Sequence, residues 1–234
     1  MRTEDIYAKV AARMPHHAGS VAGLMPVPAT ALATEDWLRE DLDTARRMYG
    51  RSPVRTLGTV RWYSASSVLV APALESLVLA GAALDPALGA VTLDVHPDGR
   101  YAGARSARAL GGSPETVGAA LGDALAEVIA AAAPIAGAGE PAFWAIAADS
   151  IANRLLWAGS AAGDPAAAME LAGRIADGIG PRMPRPRYAA VGRSHAVRRA
   201  SCCLIYEIPG GQKCVSCPRQ TPAERDRRLR AALG

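Results

Sequence analysis

Three times between residues 113 and 165 a polar residue is followed at once by proline: Ser113-Pro114, Glu140-Pro141 and Asp164-Pro165. A capping side chain followed by proline at the first helical position opens a helix, because proline lacks an N–H where none would find a partner. The spacing predicts three consecutive helices. The first runs from Ser113 to about Ala133, and the second from Glu140 through Phe143, Trp144, Ile146, Ile151, Leu155 and Leu156 to a stop at Gly159. The third runs from Asp164 to about Gly178-Ile179-Gly180. Composition says how such helices pack: only 5% of residues are aromatic, there is one Phe, and alanine is heavily used within the 50% apolar fraction. Cores of this kind are close-packed helices rather than aromatic-rich sheets. A chain of 234 residues suffices for one domain with a real core, and its apolar fraction and net charge of +4 exclude overall disorder.

The remaining segments extend this picture. Two helices are expected in the first 50 residues. The second is opened by Thr34-Glu35-Asp36 and carries Trp37, Leu38, Leu42, Ala45, Met48 and Tyr49 on one face. Residues 15–28, with His16-His17 and Gly19, read as a loop. Residues 53–81 read as two helices broken near Pro72. The period then changes. Val91, Leu93 and Val95 alternate with polar residues, Pro97-Asp98-Gly99 makes a turn, and residues 101–105 return as a second strand. Pro181, Pro184 and Pro186 force an irregular connection, and Thr221-Pro222-Ala223-Glu224 is a capping box opening a last helix. The expected fold class is α+β, mainly helical with a small antiparallel sheet. Residues 1–180 form the body, and residues 181–234 a basic C-terminal segment of the same domain. The N-terminus carries Glu4 and Asp5 where a signal peptide would be apolar. The most apolar stretch, residues 68–84, is interrupted by Pro72 and Glu75. A cytoplasmic protein without stable membrane insertion is expected.

Charge is unevenly spread. Residues 181–234 hold 12 basic and 3 acidic residues, while residues 1–180 hold 14 basic and 19 acidic. All four cysteines lie in the basic part, as Cys202, Cys203, Cys214 and Cys217, a C-C-x10-C-x2-C arrangement. Four clustered thiols in a cytosolic chain are metal ligands more often than disulfides. Adjacent residues have Cα atoms about 3.8 Å apart, below the roughly 4.4–6.8 Å of a relaxed disulfide. Structural zinc sites usually pair two C-x2–4-C knuckles, and here only Cys214-Val215-Ser216-Cys217 is one. Vicinal side chains diverge, which is awkward around one ion and easier around a cluster with more than one iron. Four thiolates suit [2Fe–2S] and [4Fe–4S] alike.

The run Arg198-Arg199-Ala200-Ser201-Cys202-Cys203-Leu204-Ile205-Tyr206-Glu207, then Pro209-Gly210-Gly211 and Cys214-Val215-Ser216-Cys217-Pro218, resembles the C-terminal signature of the FhuF family of ferric-siderophore reductases. Upstream, Val70-Ala71-Pro72-Ala73-Leu74, the hairpin around Asp98-Gly99, and Phe143-Trp144 through Leu156-Trp157 resemble that family more loosely and in the same order. The resemblance implies a [2Fe–2S] cluster held by Cys202, Cys203, Cys214 and Cys217. It also implies one-electron reduction of Fe(III) in a siderophore complex, hydroxamates especially, with release of Fe(II). Such a cluster is formally a dianion when oxidised, so cations beside it tune it, and Arg198, Arg199, Lys213 and Arg219 are the candidates. Gly210 and Gly211 would let backbone amides approach the sulfurs. No nicotinamide or flavin motif is present, so electrons would come from a ferredoxin or another reductant.

Two further readings stay open. One is a four-cysteine zinc module whose tail, with Arg225, Arg227, Arg228 and Arg230, binds nucleic acid; the other is an iron–sulfur redox sensor or an accessory to siderophore biosynthesis. The reductase reading expects no nucleic-acid partner. His195 reads as a loop histidine, His16-His17 lacks companions at ligand spacing, and Trp62, Trp144 and Trp157 read as core.

Overall fold

A computed structural model describes residues 1–15 and 21–234, so the loop expectation for His16-His17 and Gly19 lies outside the described residues. Eight α-helices are described: α1 (Thr3–Arg13), α2 (Glu35–Tyr49), α3 (Val54–Leu69), α4 (Ala71–Ala80), α5 (Pro114–Ile135), α6 (Glu140–Ala162), α7 (Pro165–Ile179) and α8 (Pro222–Leu233). Between them run strands β1 (Met25–Pro28), β2 (Ala83–Leu84), β3 (Val91–Val95), β4 (Tyr101–Ser106), β5 (Ala109–Leu110), β6 (Tyr188–Val191) and β7 (Ser194–Val197). The fold is α+β and mainly helical, with small antiparallel sheets.

The three helices announced by proline form the centre. Ser113 and Asp164 cap α5 and α7, accepting hydrogen bonds from Thr116 N and Ala167 N. Glu140 differs from expectation, being already helical, with Gly139 as the cap. α5 and α7 meet backbone to backbone. A Cβ on Gly178 would lie 2.1 Å from the Glu115 carbonyl oxygen, and one on Gly118 would lie 2.3 Å from the Ile175 oxygen. Helix α6 does not stop at Gly159 but runs to Ala162 and ends on Gly163 in the left-handed region. Gly159 is instead the contact with α7, since a Cβ there would stand 2.4 Å from the Ala168 Cβ. The lone Phe143 is fully buried. It meets Trp62 edge-on at 5.5 Å, and its carbonyl accepts the Trp62 indole N–H at 2.9 Å.

The residues 53–81 break as expected, with α3 ending at Leu69 and Pro72 in the first turn of α4. The windows Val54–Ala80 and Pro114–Ile135 are long and apolar enough to span a membrane by length and composition. They are 61% and 56% buried inside the protein, which is the burial of core helices. β3 and β4 form the expected hairpin, and β1 adds an unexpected third strand, pairing Val27 with Leu93. A buried ion pair fixes that hairpin to the helices. Arg61 on α3 grips Asp41 on α2 through two bonds, donates to the Gly99 carbonyl at 2.8 Å, and lies 4.4 Å over the Tyr101 ring.

The proline-rich connection is the larger surprise. Residues 188–197 form the hairpin β6–β7, which turns at Gly192 (φ 58°) and puts His195 in a strand rather than a loop. Val197 packs on Ala152 and Leu156 of α6, while Leu229 of α8 packs on Val191 and Ala196. The hairpin therefore lies between α6 and α8 and delivers the chain to Arg198. Because Gly178 and Glu115 leave no space for a side chain, Gly178→Val should cost about 1–3 kcal/mol by overpacking. Thermal unfolding should show a lower melting temperature, by roughly 2–4 °C per kcal/mol for a chain of this size. Iron content per folded chain should not change.

Candidate iron–sulfur site

The cysteine segment is held against a polar seam in an otherwise apolar helix pair. On α3, Thr56, Thr59, Tyr63 and Ser66 recur at helical spacing, and across from them α6 presents Asp149 and Ser150. Ser66 and Ser150 share a hydrogen bond of 2.8 Å. Thr56 donates to Glu207 at 2.7 Å, tying α3 to the turn after the vicinal cysteines.

Asp149 makes the central contact. Its carboxylate is 2% exposed and accepts the backbone N–H groups of Ala200 at 2.7 Å and Ser201 at 3.2 Å, together with Arg199 Nε at 3.3 Å. Burial pushes its pKa upward against the pull of these donors. Three consecutive residues just ahead of Cys202 are thus fixed by one side chain. Arg199, equally buried, stacks 4.8 Å from the Tyr63 ring and points Nη1 at Cys214 Sγ (3.4 Å) and Cys203 Sγ (3.7 Å). Its Nη2 is buried without a hydrogen-bond partner. Burial works against the guanidinium charge, but Cys203, Tyr63 and Asp149 outweigh it and raise its pKa.

The four thiols are free, and three of them are buried, with Cys214 half-exposed. Cys202 Sγ lies 3.7 Å from Cys217 Sγ, while Cys203 and Cys214 share the Arg199 donor. Among the described residues no three His, Cys, Asp or Glu side chains converge as ligands of a single ion would. The hydrogen bond between Cys202 and Cys203 draws the Cys203 pKa down, with Arg199 adding to the pull, and pushes that of Cys202 up.

Local backbone completes the cradle. Leu204 is the one non-glycine residue with positive φ (61°) among the described residues. That conformation costs of order 1–2 kcal/mol, and it turns the Leu204 N–H onto Cys202 Sγ at 3.4 Å. Here the structure corrects an expectation. The Gly211 amide is spent on the Ile208 carbonyl, and a Cβ on Gly211 would meet the Ile205 oxygen at 2.1 Å, so this glycine serves turn packing rather than a sulfur. The C-V-S-C knuckle closes through Cys217 N to Cys214 O at 3.1 Å. Gln220, buried, donates to the Cys214 and Val215 carbonyls and accepts from Arg228 of α8.

Of the four cations named from sequence, Arg199 alone touches the sulfurs. Arg198 is exposed. Lys213 donates to the Arg219 carbonyl and lies 5.8 Å from the Tyr206 ring, and Arg219 is exposed beside Cys202 in a surface pocket. Trp62 and Trp144 are core residues, but Trp157 is not. It is 48% exposed, with Arg154 over its ring, although its neighbours Leu155, Leu156 and Ala158 are buried. In the tail, Arg230 pairs with Asp226, and Arg228 with Gln220. Asp149, Gln220 and Tyr63 were missed by sequence reasoning. The available signal was a carboxylate in the middle of an apolar helix, at a position where burial demands a partner.

The site is a segment of four neighbouring cysteines braced by a buried arginine. Residues 199–219 match the family model described as the FhuF 2Fe-2S C-terminal domain, and the four cysteines fit its motif. The looser upstream resemblance has no counterpart in that match. No curated protein and no solved structure matches the chain. The cofactor of the segment is therefore a [2Fe–2S] cluster. The four neighbouring thiols, Arg199 Nη1 between two of them and the unpartnered Nη2 fit such an anionic, sulfur-rich group. Cys202, Cys203, Cys214 and Cys217 would hold it.

Asp149→Ala strands a buried guanidinium and two backbone donors, and removing one partner of a buried ion pair costs about 3–5 kcal/mol. Iron and sulfide per chain should fall well below wild type, and urea unfolding should shift to lower denaturant. Asp149→Asn, which keeps an acceptor of the same shape, should retain more of both.

Proposed function

We propose that this protein is a cytoplasmic ferric-siderophore reductase. The observation that carries the reading is the four-cysteine segment matched by the FhuF 2Fe-2S domain and held in place by Asp149 and Arg199. A [2Fe–2S] cluster supplies one electron at a time, and one electron is what turns chelated Fe(III) into the Fe(II) that siderophores hold weakly.

The chain's own residues do the rest. Arg199 places positive charge and N–H donors against the Cys203 and Cys214 sulfurs inside the protein, where such interactions are strong, and so favours the more negative reduced state. Asp149 neutralises Arg199 at long range while fixing its direction. Cys214 and the exposed Val215 bring the knuckle to the surface, where a partner can approach. No general acid or nucleophile is required, in keeping with a site built of thiols and donors. The electron comes from a separate donor protein of the ferredoxin kind or from a small reductant.

Anaerobically purified protein should show charge-transfer absorption that bleaches with dithionite, an S = ½ EPR signal, and two irons and two sulfides per chain. A ferric siderophore added to the reduced protein should restore the colour and yield Fe(II). One zinc per chain after iron-replete expression would overturn the reading. Arg199→Gln should lower the reduction potential. Losing about 1–2 kcal/mol of charge-assisted hydrogen bonding corresponds to roughly 45–90 mV for one electron.

A further inference from the structure

A pocket of about 260 Å³ opens beside Cys202, between α3, the α5–α6 turn and the cysteine segment. Two arginines line it, Arg55 from α3 and Arg219 from just past the knuckle, and no carboxylate does. Both are exposed, and among the described residues neither makes an ion pair. Most other arginines on the body surface are engaged, as Arg39 is by Glu35, Arg100 by Asp98 and Arg174 by Glu115. Two hydroxyls also line the pocket. Thr59 is 5% exposed, and its hydroxyl takes part in none of the hydrogen bonds among the described residues; the Ser201 hydroxyl likewise has none. Thr59 is buried as a residue, but its hydroxyl is not among the buried side-chain atoms that lack a partner, so it reaches accessible space and can donate to an occupant of the pocket. Gly137 and Gly139 form the opposite wall and add no side chain to fill the space.

We infer that this pocket is an anion site at which the iron chelate docks, and that it selects chelates of net negative charge over neutral ones. The inference rests on the reductase reading for the identity of the ligand, and on the pocket for its charge. Two unpaired guanidinium groups suit carboxylate or other anionic oxygens, which arginine grips in a bidentate way. Thr59 and Ser201 supply the hydroxyl donors that such oxygens accept. The volume lies just below the roughly 300–1,000 Å³ of sites that enclose a small molecule. The pocket therefore takes one anionic arm of a chelate and leaves the remainder in solvent. Cys202 forms part of its wall, so the arm's binding brings the ferric ion alongside a cluster ligand. A neutral tris-hydroxamate complex offers the arginines nothing to hold.

The test uses gallium, which copies Fe(III) in size and charge but accepts no electron. Holoprotein is titrated calorimetrically with the Ga(III) complex of a carboxylate-bearing siderophore and with that of a neutral tris-hydroxamate. The anionic complex should bind at least about tenfold tighter, a difference of 1.4 kcal/mol, and its affinity should fall as salt rises. Arg55→Glu should remove that preference while leaving iron and sulfide per chain unchanged. Thr59→Val, which keeps the shape, should weaken the anionic complex alone. Equal binding of the two complexes, or a preference that survives Arg55→Glu, would overturn the inference. Stopped-flow oxidation of dithionite-reduced protein by the matching Fe(III) complexes separates the two readings. If the gallium preference holds and no ferric complex oxidises the protein, the anion site stands and the reductase reading fails. If ferric complexes are reduced whatever their charge and gallium binding ignores Arg55, the anion site fails and the reductase reading stands.

Discussion

The Asp149–Arg199 pair joins the helical body to the cysteine segment, and most of the site depends on it. Both side chains are about 3% exposed, a placement in which desolvation alone can outweigh mutual attraction. The pair is tenable because each member has more than one partner. Asp149 also accepts two backbone N–H groups, and Arg199 also reaches two sulfurs and the Tyr63 ring. Remove the carboxylate, and the arginine loses its anchor, the segment loses its attachment at residues 200 and 201, and two cysteines lose their donor. The body therefore acts as a scaffold for a site to which it contributes no cysteine.

Charge balance explains the arrangement of the rest. Asp149 cancels the formal charge of Arg199, so the pair supplies direction and N–H donors rather than net charge. An oxidised [2Fe–2S] group with four thiolates remains a dianion, and its countercharge must come from farther out. Residues 181–234 carry 12 basic and 3 acidic side chains, and Arg198, Lys213 and Arg219 lie next to the cysteines. Solvent screens such exposed cations from one another, so they adjust the field at the site without rigidly fixing it. That excess leaves Arg219 exposed at the surface beside Cys202, where it meets Arg55 of the body.

Local signals were legible where the physics is local. Caps at Ser113, Asp164 and Thr221 and the alternation from Val91 to Val95 marked α5, α7, α8 and the β3–β4 hairpin, because capping and pleat depend on residues a few positions apart. The signals failed where long-range packing intervened. Gly159 reads as a stop but lies within α6, since the close approach of α7 needs a residue without Cβ. Pro181, Pro184 and Pro186 announced an irregular connection, yet residues 188–197 just beyond them pair as strands, with α6 and α8 covering the two sides of the hairpin. Gly210-Gly211 looked like a sulfur cradle, and the donor N–H belongs to Leu204 instead.

By itself the sequence determined that four thiols come together, since C-C-x10-C-x2-C places them within 16 residues, and a vicinal pair cannot close a relaxed disulfide. It also determined the helical centre, through caps and composition. Only the tertiary structure decided which cation faces the sulfurs. Arg198 and Arg199 are adjacent and chemically identical, and one is exposed while the other is buried. What separates them is Asp149, a residue 50 positions away on another helix. Burial of a charge is stable only beside its countercharge, and which residues become neighbours is a property of the folded chain.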